Sequence, residues 1–224
     1  MIPPLARDVK KLGRLSLNLL KENILKPMAE RKHLHEAYIG GREGAEFEWD
    51  LFGSVDRNNP AYERELKKVT KPNGSVFYRD ALSLVKKFQP GDPKNPERGF
   101  ARDLRIEILD ELGLTDEKDM DRLEFYTAVG SPFDQWHGVD SFFELRQKLG
   151  ASLRVTLDAA TVSELEKIAR GQNPKADILI SGKELHLDDE AKLEEEQKRI
   201  AKQIVAIFRS EQKTAEKRFH YNFF

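Results

Sequence analysis

Cysteine is absent from this 224-residue chain. Its absence excludes disulfide bridges and thiolate metal sites, and it argues against a small secreted scaffold held together by disulfides. Apolar residues make up 39% of the chain and charged residues 34%. A hydrophobic core can form from this composition, and long solvated helices would account for the excess of charge.

A strong net charge and long apolar runs are also missing. The formal charge is -1, so no overall field favours nucleic acid or a membrane, and a nucleic-acid contact would need a local basic patch. No apolar run approaches the length of a membrane span. Lys10, Lys11 and Arg14 interrupt the segment in which a signal peptide would carry its apolar region. We therefore expect a cytoplasmic protein without a membrane partner.

Helical periodicity dominates the first part of the chain. Apolar residues recur at helical spacing, between Pro and Gly punctuation, over residues 5–26, 28–39, 61–70 and 75–88. Residues 89–99 then hold three prolines and two glycines, which is typical of a boundary. We predict a mainly helical N-terminal region at 1–95, an α/β core at 96–187 and a long charged helix at 188–224, with one compact unit as the alternative.

The second part changes to short alternating segments. A helix at 99–113 should end at Gly113, because glycine commonly closes helices. Period-two alternation then predicts strands, with a helix at 162–170 before the last one, over residues 122–129, 138–146, 152–158 and 176–181. Consecutive strands favour antiparallel pairing, and a crossover helix permits a parallel pair. The predicted fold class is α/β (α+β): a mixed four-stranded sheet in α-β-β-β-α-β order, flanked by N-terminal helices and a long C-terminal helix.

The C-terminal helix carries an apolar stripe of Ile200, Ile204, Ile207 and Phe208. The stripe has to be buried, either on the same chain or on a second copy. A homodimer through this helix is therefore one expectation.

Two aspartates mark the candidate site. Asp140 lies near the start of the second predicted strand and Asp158 ends the third. Neighbouring antiparallel strands bring the start of one beside the end of the next, so the two carboxylates should converge. Oxygen ligands of this kind suit Mg²⁺ or Mn²⁺. Glu107 and Glu111, one turn apart on the preceding helix, are candidates for a third ligand.

This arrangement resembles the core of the PD-(D/E)xK nuclease superfamily over residues 99–182. The resemblance rests on the order of the elements, on Gly138-Val139-Asp140 in the second strand, and on Asp158 followed by two alanines in the third. It implies that Asp140 and Asp158 bind the metal and that Glu107 or Glu111 is the family's helix carboxylate. Trp136 and His137 fall in the loop beside Asp140.

The chain departs from that family at one position. Ala160 stands where the family has a lysine that helps to activate water. Arg146, Arg154 and Lys175 are candidates to replace it. A second register pairs Asp134 with Glu144-Leu145-Arg146, but arginine stays protonated and is a poor general base. The catalytic candidates are accordingly Asp140, Asp158, Glu144 and Lys175.

Two functions follow from these residues. The first is a Mg²⁺- or Mn²⁺-dependent endonuclease, a phosphodiester hydrolase that acts on DNA or RNA, with DNA favoured as the substrate. The second is a non-catalytic protein that keeps the fold and binds nucleic acid or protein, which Ala160 favours. Aspartates at strand ends are also common as turn or cap residues, and glutamates on a helix face often serve only solvation.

Overall fold

The computed structural model describes residues 45–148, 151–160, 173–182, 184–186 and 189–221, together with Leu165 and Ile168. The helices predicted at 5–26 and 28–39 lie outside these residues, as does most of the helix predicted at 162–170. The described helices are α1 Ala45–Phe52, α2 Pro60–Val69, α3 Tyr78–Lys87, α4 Gly99–Leu112, α5 Glu117–Met120, α6 Pro132–His137 and α7 Glu190–Tyr221.

The four predicted strands form one mixed sheet. The strands are β1 Leu123–Thr127, β2 Ser141–Leu145, β3 Leu153–Asp158 and β4 Ile178–Leu179, in spatial order β1-β2-β3-β4. β2 is antiparallel to both β1 and β3, and β4 is parallel to β3. The predicted α/β fold class with its long C-terminal helix is confirmed.

Helix α6 corrects the prediction of a loop before β2. The Ser131 hydroxyl accepts a hydrogen bond from the Phe133 amide at 3.0 Å, and Pro132 occupies the first turn. Gly138 ends the helix in the left-handed conformation at φ 60°. A capping serine followed by proline is a normal start for a helix. The consequence is that Asp134 and Trp136 stand on a helix that leads directly to Asp140.

Alternation along the strands builds a core on each side of the sheet. On one side, Phe125 and Phe143 pack with apolar residues of α1, α4 and α7. On the other side, Tyr126 and Phe142 stack with ring centroids 5.0 Å apart and pack with residues of α2, α3 and α6. The first core draws on all three of the predicted regions, since Phe47, Phe143 and Ile204 all belong to it.

The stripe on α7 packs against the chain itself. Ile200, Ile204 and Phe208 are at most 1% exposed, and Ile207 packs against the same core. The helix lies against α4 and β3. The sequence-based reason for a homodimer therefore no longer holds, because the apolar face is already covered. No helix in the described part of the chain is long and apolar enough to cross a membrane.

Candidate metal centre

Asp140 is fixed at one end of the sheet by hydrogen bonds to both neighbouring strands. Its amide donates to the Leu157 carbonyl at 3.0 Å, and its carbonyl accepts from the Ala128 amide at 2.6 Å. Its carboxylate accepts a hydrogen bond from the Ala159 amide at 2.7 Å. The residue is only 2% exposed. The sheet thus holds one carboxylate rigidly in a nearly dry position.

Two more carboxylates come to Asp140 from helices. One carboxylate oxygen from each of Glu48 on α1, Asp134 on α6 and Asp140 lies within 4.8 Å of the other two. Asp134 is oriented by the Gly130 amide, which donates to its Oδ2 at 2.8 Å. We call Glu48, Asp134 and Asp140 the acidic cluster. Its ligands are all oxygen, which is the donor set that Mg²⁺ and Mn²⁺ prefer.

The environment of Asp140 disfavours its negative charge. Burial, reinforced by the carboxylates of Glu48 and Asp158, raises the pKa of Asp140 to about 10. The hydrogen bond from Ala159 opposes this rise. Without a cation, the side chain is therefore protonated at neutral pH. A bound divalent ion would favour the ionised form, so binding should release a proton.

Asp158 stands beside this cluster. It ends β3, it is half-buried, and its charge contributes to the raised pKa of Asp140. Its carbonyl accepts a hydrogen bond from the Ile180 amide at 2.8 Å, which extends the pairing with β4. The two aspartates predicted from the sequence are therefore electrostatic neighbours, while the three oxygens that converge within 4.8 Å belong to the acidic cluster.

The predicted helix ligands Glu107 and Glu111 lie near residues of α7. The Glu111 carboxylate lies 3.9 Å from Arg209 of α7. Glu107 helps to raise the pKa of Lys198, which is also on α7. Both glutamates thus face the C-terminal helix. The helix carboxylate beside Asp140 is Glu48, which the sequence analysis missed because a short amphipathic helix does not reveal which neighbour its polar side meets.

Glu144, which is predicted to be catalytic, forms ion pairs with two cations. Lys86 and Arg154 donate hydrogen bonds to its two oxygens at 2.7 and 2.9 Å. Although burial opposes it, these contacts hold the pKa of Glu144 below its usual value. A carboxylate neutralised by two cations is a structural ion pair. The second register predicted that Asp134 and Glu144 belong to one motif. In the structure Asp134 lies in the acidic cluster, whereas Glu144 lies in separate ion pairs with Lys86 and Arg154.

The three candidates for the missing lysine are now separable. Arg154 is held by Glu144, and Arg146 lies 3.5 Å from Glu124 and donates to the Asp121 carbonyl. The side chain of Lys175 instead packs over Gly138, where an added β-carbon would lie 2.6 Å from its Cδ. Gly138 joins α6 to the segment that carries Asp140.

The surroundings of Lys175 and Ala160 complete the site. Lys175 is exposed, and it makes no ion pair with any residue in the described ranges. Ala160 is 6% exposed and its amide donates to the Ile180 carbonyl at 3.0 Å.

Comparison with family models, with curated proteins and with solved structures found no match to this chain.

Proposed function

We propose that this protein is a metal-dependent nuclease, a phosphodiester hydrolase similar in its core to the PD-(D/E)xK superfamily. The observation that carries the proposal is the convergence of Glu48, Asp134 and Asp140 within 4.8 Å. Repulsion between carboxylates this close together contributes to the raised pKa of Asp140. A divalent cation relieves that repulsion.

The residues fit such an ion in number and kind. Asp140 supplies a rigid, buried ligand, and Glu48 and Asp134 supply ligands that are half-buried and so open towards solvent. A bound Mg²⁺ or Mn²⁺ would activate water and neutralise charge on a phosphodiester. The negative charge of Asp158, which acts on Asp140, would add to the attraction for a cation.

Lys175 is the residue we assign to the part played by the family's lysine. Its stem is held by Gly138, and its ammonium group is not neutralised by a carboxylate in the described part of the chain. A lysine in this setting can orient the attacking water or stabilise the charge that develops on the phosphate. The position differs from that of Ala160 along the chain but serves the same edge of the sheet.

A non-catalytic binding protein is the second candidate. Ala160 favours it, because the usual position of the lysine is filled by a buried methyl group. The two candidates differ in one observable: an enzyme must cleave nucleic acid when the metal is added, and a binding protein must not.

Metal binding should depend on Glu48 and not on Glu107. We expect calorimetric titration of Mn²⁺ into the parent protein to show a site that Glu48→Gln weakens about tenfold or more. Glu107→Gln is the matched control, since it makes the same chemical change on a helix that faces α7. Heat of proton release should accompany binding near neutral pH, because Asp140 must ionise.

Equal Mn²⁺ binding by the parent and Glu48→Gln would contradict the proposed ligand set. Loss of binding in Glu107→Gln alone would restore the set predicted from the sequence. Absence of binding to the parent would remove the metal centre and leave the second candidate.

Cleavage should depend on Lys175 while metal binding does not. We expect Lys175→Met, which keeps the stem against Gly138, to lower the rate of Mn²⁺-dependent cleavage about 100-fold or more. Its Mn²⁺ titration should match that of the parent. Lys202→Met, at an exposed position of α7, serves as the control. A Lys175→Met variant that cleaves as fast as the parent would show that this lysine has no part in the chemistry.

A further inference from the structure

The geometry points to unpaired, single-stranded nucleic acid as the ligand of the surface around the acidic cluster. This inference rests on the proposed function for the identity of the polymer, and it adds the strandedness and the residues that hold it. Three cationic side chains and two exposed indoles carry it.

Arg57 is the first of the cations. Its guanidinium carbon would lie 3.1 Å from a β-carbon built onto Gly130. The amide of the same glycine donates to the Asp134 carboxylate. Arg57 therefore lies against the very turn that orients a member of the acidic cluster.

Arg98, the residue before α4, packs against α1. Its guanidinium carbon lies 3.7 Å from the centroid of the Trp49 ring, and Trp49 directly follows Glu48 in the helix. The stem of Arg98 also packs at Gly53, just beyond the end of α1. Lys175 packs over Gly138 in the same way. A cationic side chain therefore lies against each of the three segments that carry a member of the acidic cluster.

These cations are not used up in ion pairs. Within the ranges that the structure describes, Arg57, Arg98 and Lys175 form no salt bridge. By contrast, Lys86 and Arg154 are both paired with the carboxylate of Glu144. These three side chains are therefore our candidates for the local basic patch that a chain of net charge -1 would need. Phosphates on either side of the reacting one are the groups that such cations fit.

The two tryptophans indicate single strands. Trp49 is 43% exposed and Trp136 is 49% exposed, and they are the two tryptophans of the chain. Exposed indoles offer flat faces on which unpaired bases stack. Arg98 already covers part of Trp49, so only the remaining exposed part of that ring can take a base. Bases inside a duplex are already stacked on one another and cannot use such faces without being extruded.

Two more exposed aromatic residues lie at the start of α3, next to α6. Tyr78 is 45% exposed, and its ring lies 5.2 Å from that of His137, the neighbour of Trp136. Phe77 is 60% exposed, and the Lys71 Nζ lies 3.3 Å from its ring centroid. Alternating aromatic and cationic groups are the usual composition of a single-strand track.

Tryptophan fluorescence tests the inference directly, in EDTA and without divalent ions. Single-stranded 12-mers of DNA and of RNA, and a DNA duplex of the same sequence, are titrated into the full chain. We expect quenching by the single strands, with affinity at least about tenfold higher than for the duplex. Whether DNA or RNA binds more tightly identifies the sugar, and either result supports the inference.

Variants assign the contacts. Trp136→Phe should weaken binding and remove part of the quenching. Each of Arg57→Gln, Arg98→Gln and Lys175→Met should lower the slope of log affinity against log salt by about 0.7. Arg209→Gln, which alters an arginine that lies near Glu111, is the matched control and should bind like the parent.

Tighter binding of the duplex, unchanged salt slopes in all three cation variants, or no binding at all would overturn the inference. These outcomes do not depend on Mn²⁺, so they are separate from the metal titration. Single-strand binding without Mn²⁺ binding would support the inference and contradict the enzymatic proposal. Mn²⁺ binding without single-strand binding would support the metal centre of the enzymatic proposal and contradict the inference about single strands.

Discussion

Replacing Asp140 by asparagine should stabilise the metal-free protein by up to about 4 kcal/mol at pH 7. The parent has to protonate this carboxyl on folding, because its pKa is about 10 in the native state and about 3.9 in the unfolded chain. Asparagine has nearly the same shape, its carbonyl oxygen can still accept the hydrogen bond from Ala159, and it needs no proton.

The difference between the folded and the unfolded pKa of Asp140 also determines how stability changes with pH. Because the folded pKa is above the unfolded one, the contribution of Asp140 to stability is fully present below about pH 4. It is lost progressively as the pH rises to about 10. Urea unfolding in EDTA at pH 5, 7 and 9 should show that loss in the parent and a smaller one in Asp140→Asn. Glu107→Gln should follow the parent.

Mn²⁺ should narrow the difference in stability between the parent and Asp140→Asn. A ligand present at 100 times its dissociation constant stabilises the native state by about 2.7 kcal/mol. The parent should gain this increment, and Asp140→Asn should not, because a neutral amide is a poor ligand for a hard cation. If Asp140→Asn is less stable than the parent in EDTA at both pH 7 and pH 9, the carboxyl group of Asp140 does not destabilise the metal-free fold.

Asp140 was predictable from the sequence because the strands were. The alternation in residues 122–158 determines which neighbours pair, and pairing brings the segment before β2 beside the end of β3. The prediction that Asp140 and Asp158 are neighbours needed nothing beyond that register. Even the overlooked helix α6 had readable signals, since Ser131 and Pro132 start it and Gly138 ends it.

The other members of the acidic cluster could not be predicted in the same way. Glu48 reaches Asp140 across a separation of more than ninety residues, and only the packing of Phe47 and Leu51 into the core decides where α1 lies. Glu107 and Glu111 have the one-turn spacing of paired ligands, but α7 packs on that side of α4. Glu144 was on the correct strand, but Lys86 from α3 reaches it first.

The packing of α7 leads to the largest loss of stability that we predict. Ile204 is fully buried where α7 crosses α4 and β3. Ile204→Asp removes an aliphatic side chain whose burial is worth about 1.5–3 kcal/mol and places an unpaired carboxyl in an apolar core. We expect a loss of about 4 kcal/mol or more, which is a large fraction of the roughly 5–15 kcal/mol by which ordinary domains are stable.

The control for this substitution lies one residue away. Gln203 is exposed on α7, so Gln203→Asp adds the same charge to the same helix and should change the free energy of unfolding by less than about 0.5 kcal/mol. Urea unfolding measures both variants, and sedimentation separates unfolding from dissociation. Because the stripe packs on its own chain, Ile204→Asp should unfold rather than fall from dimer to monomer. A variant that unfolds at the same urea concentration as the parent would mean that α7 does not rest on this core.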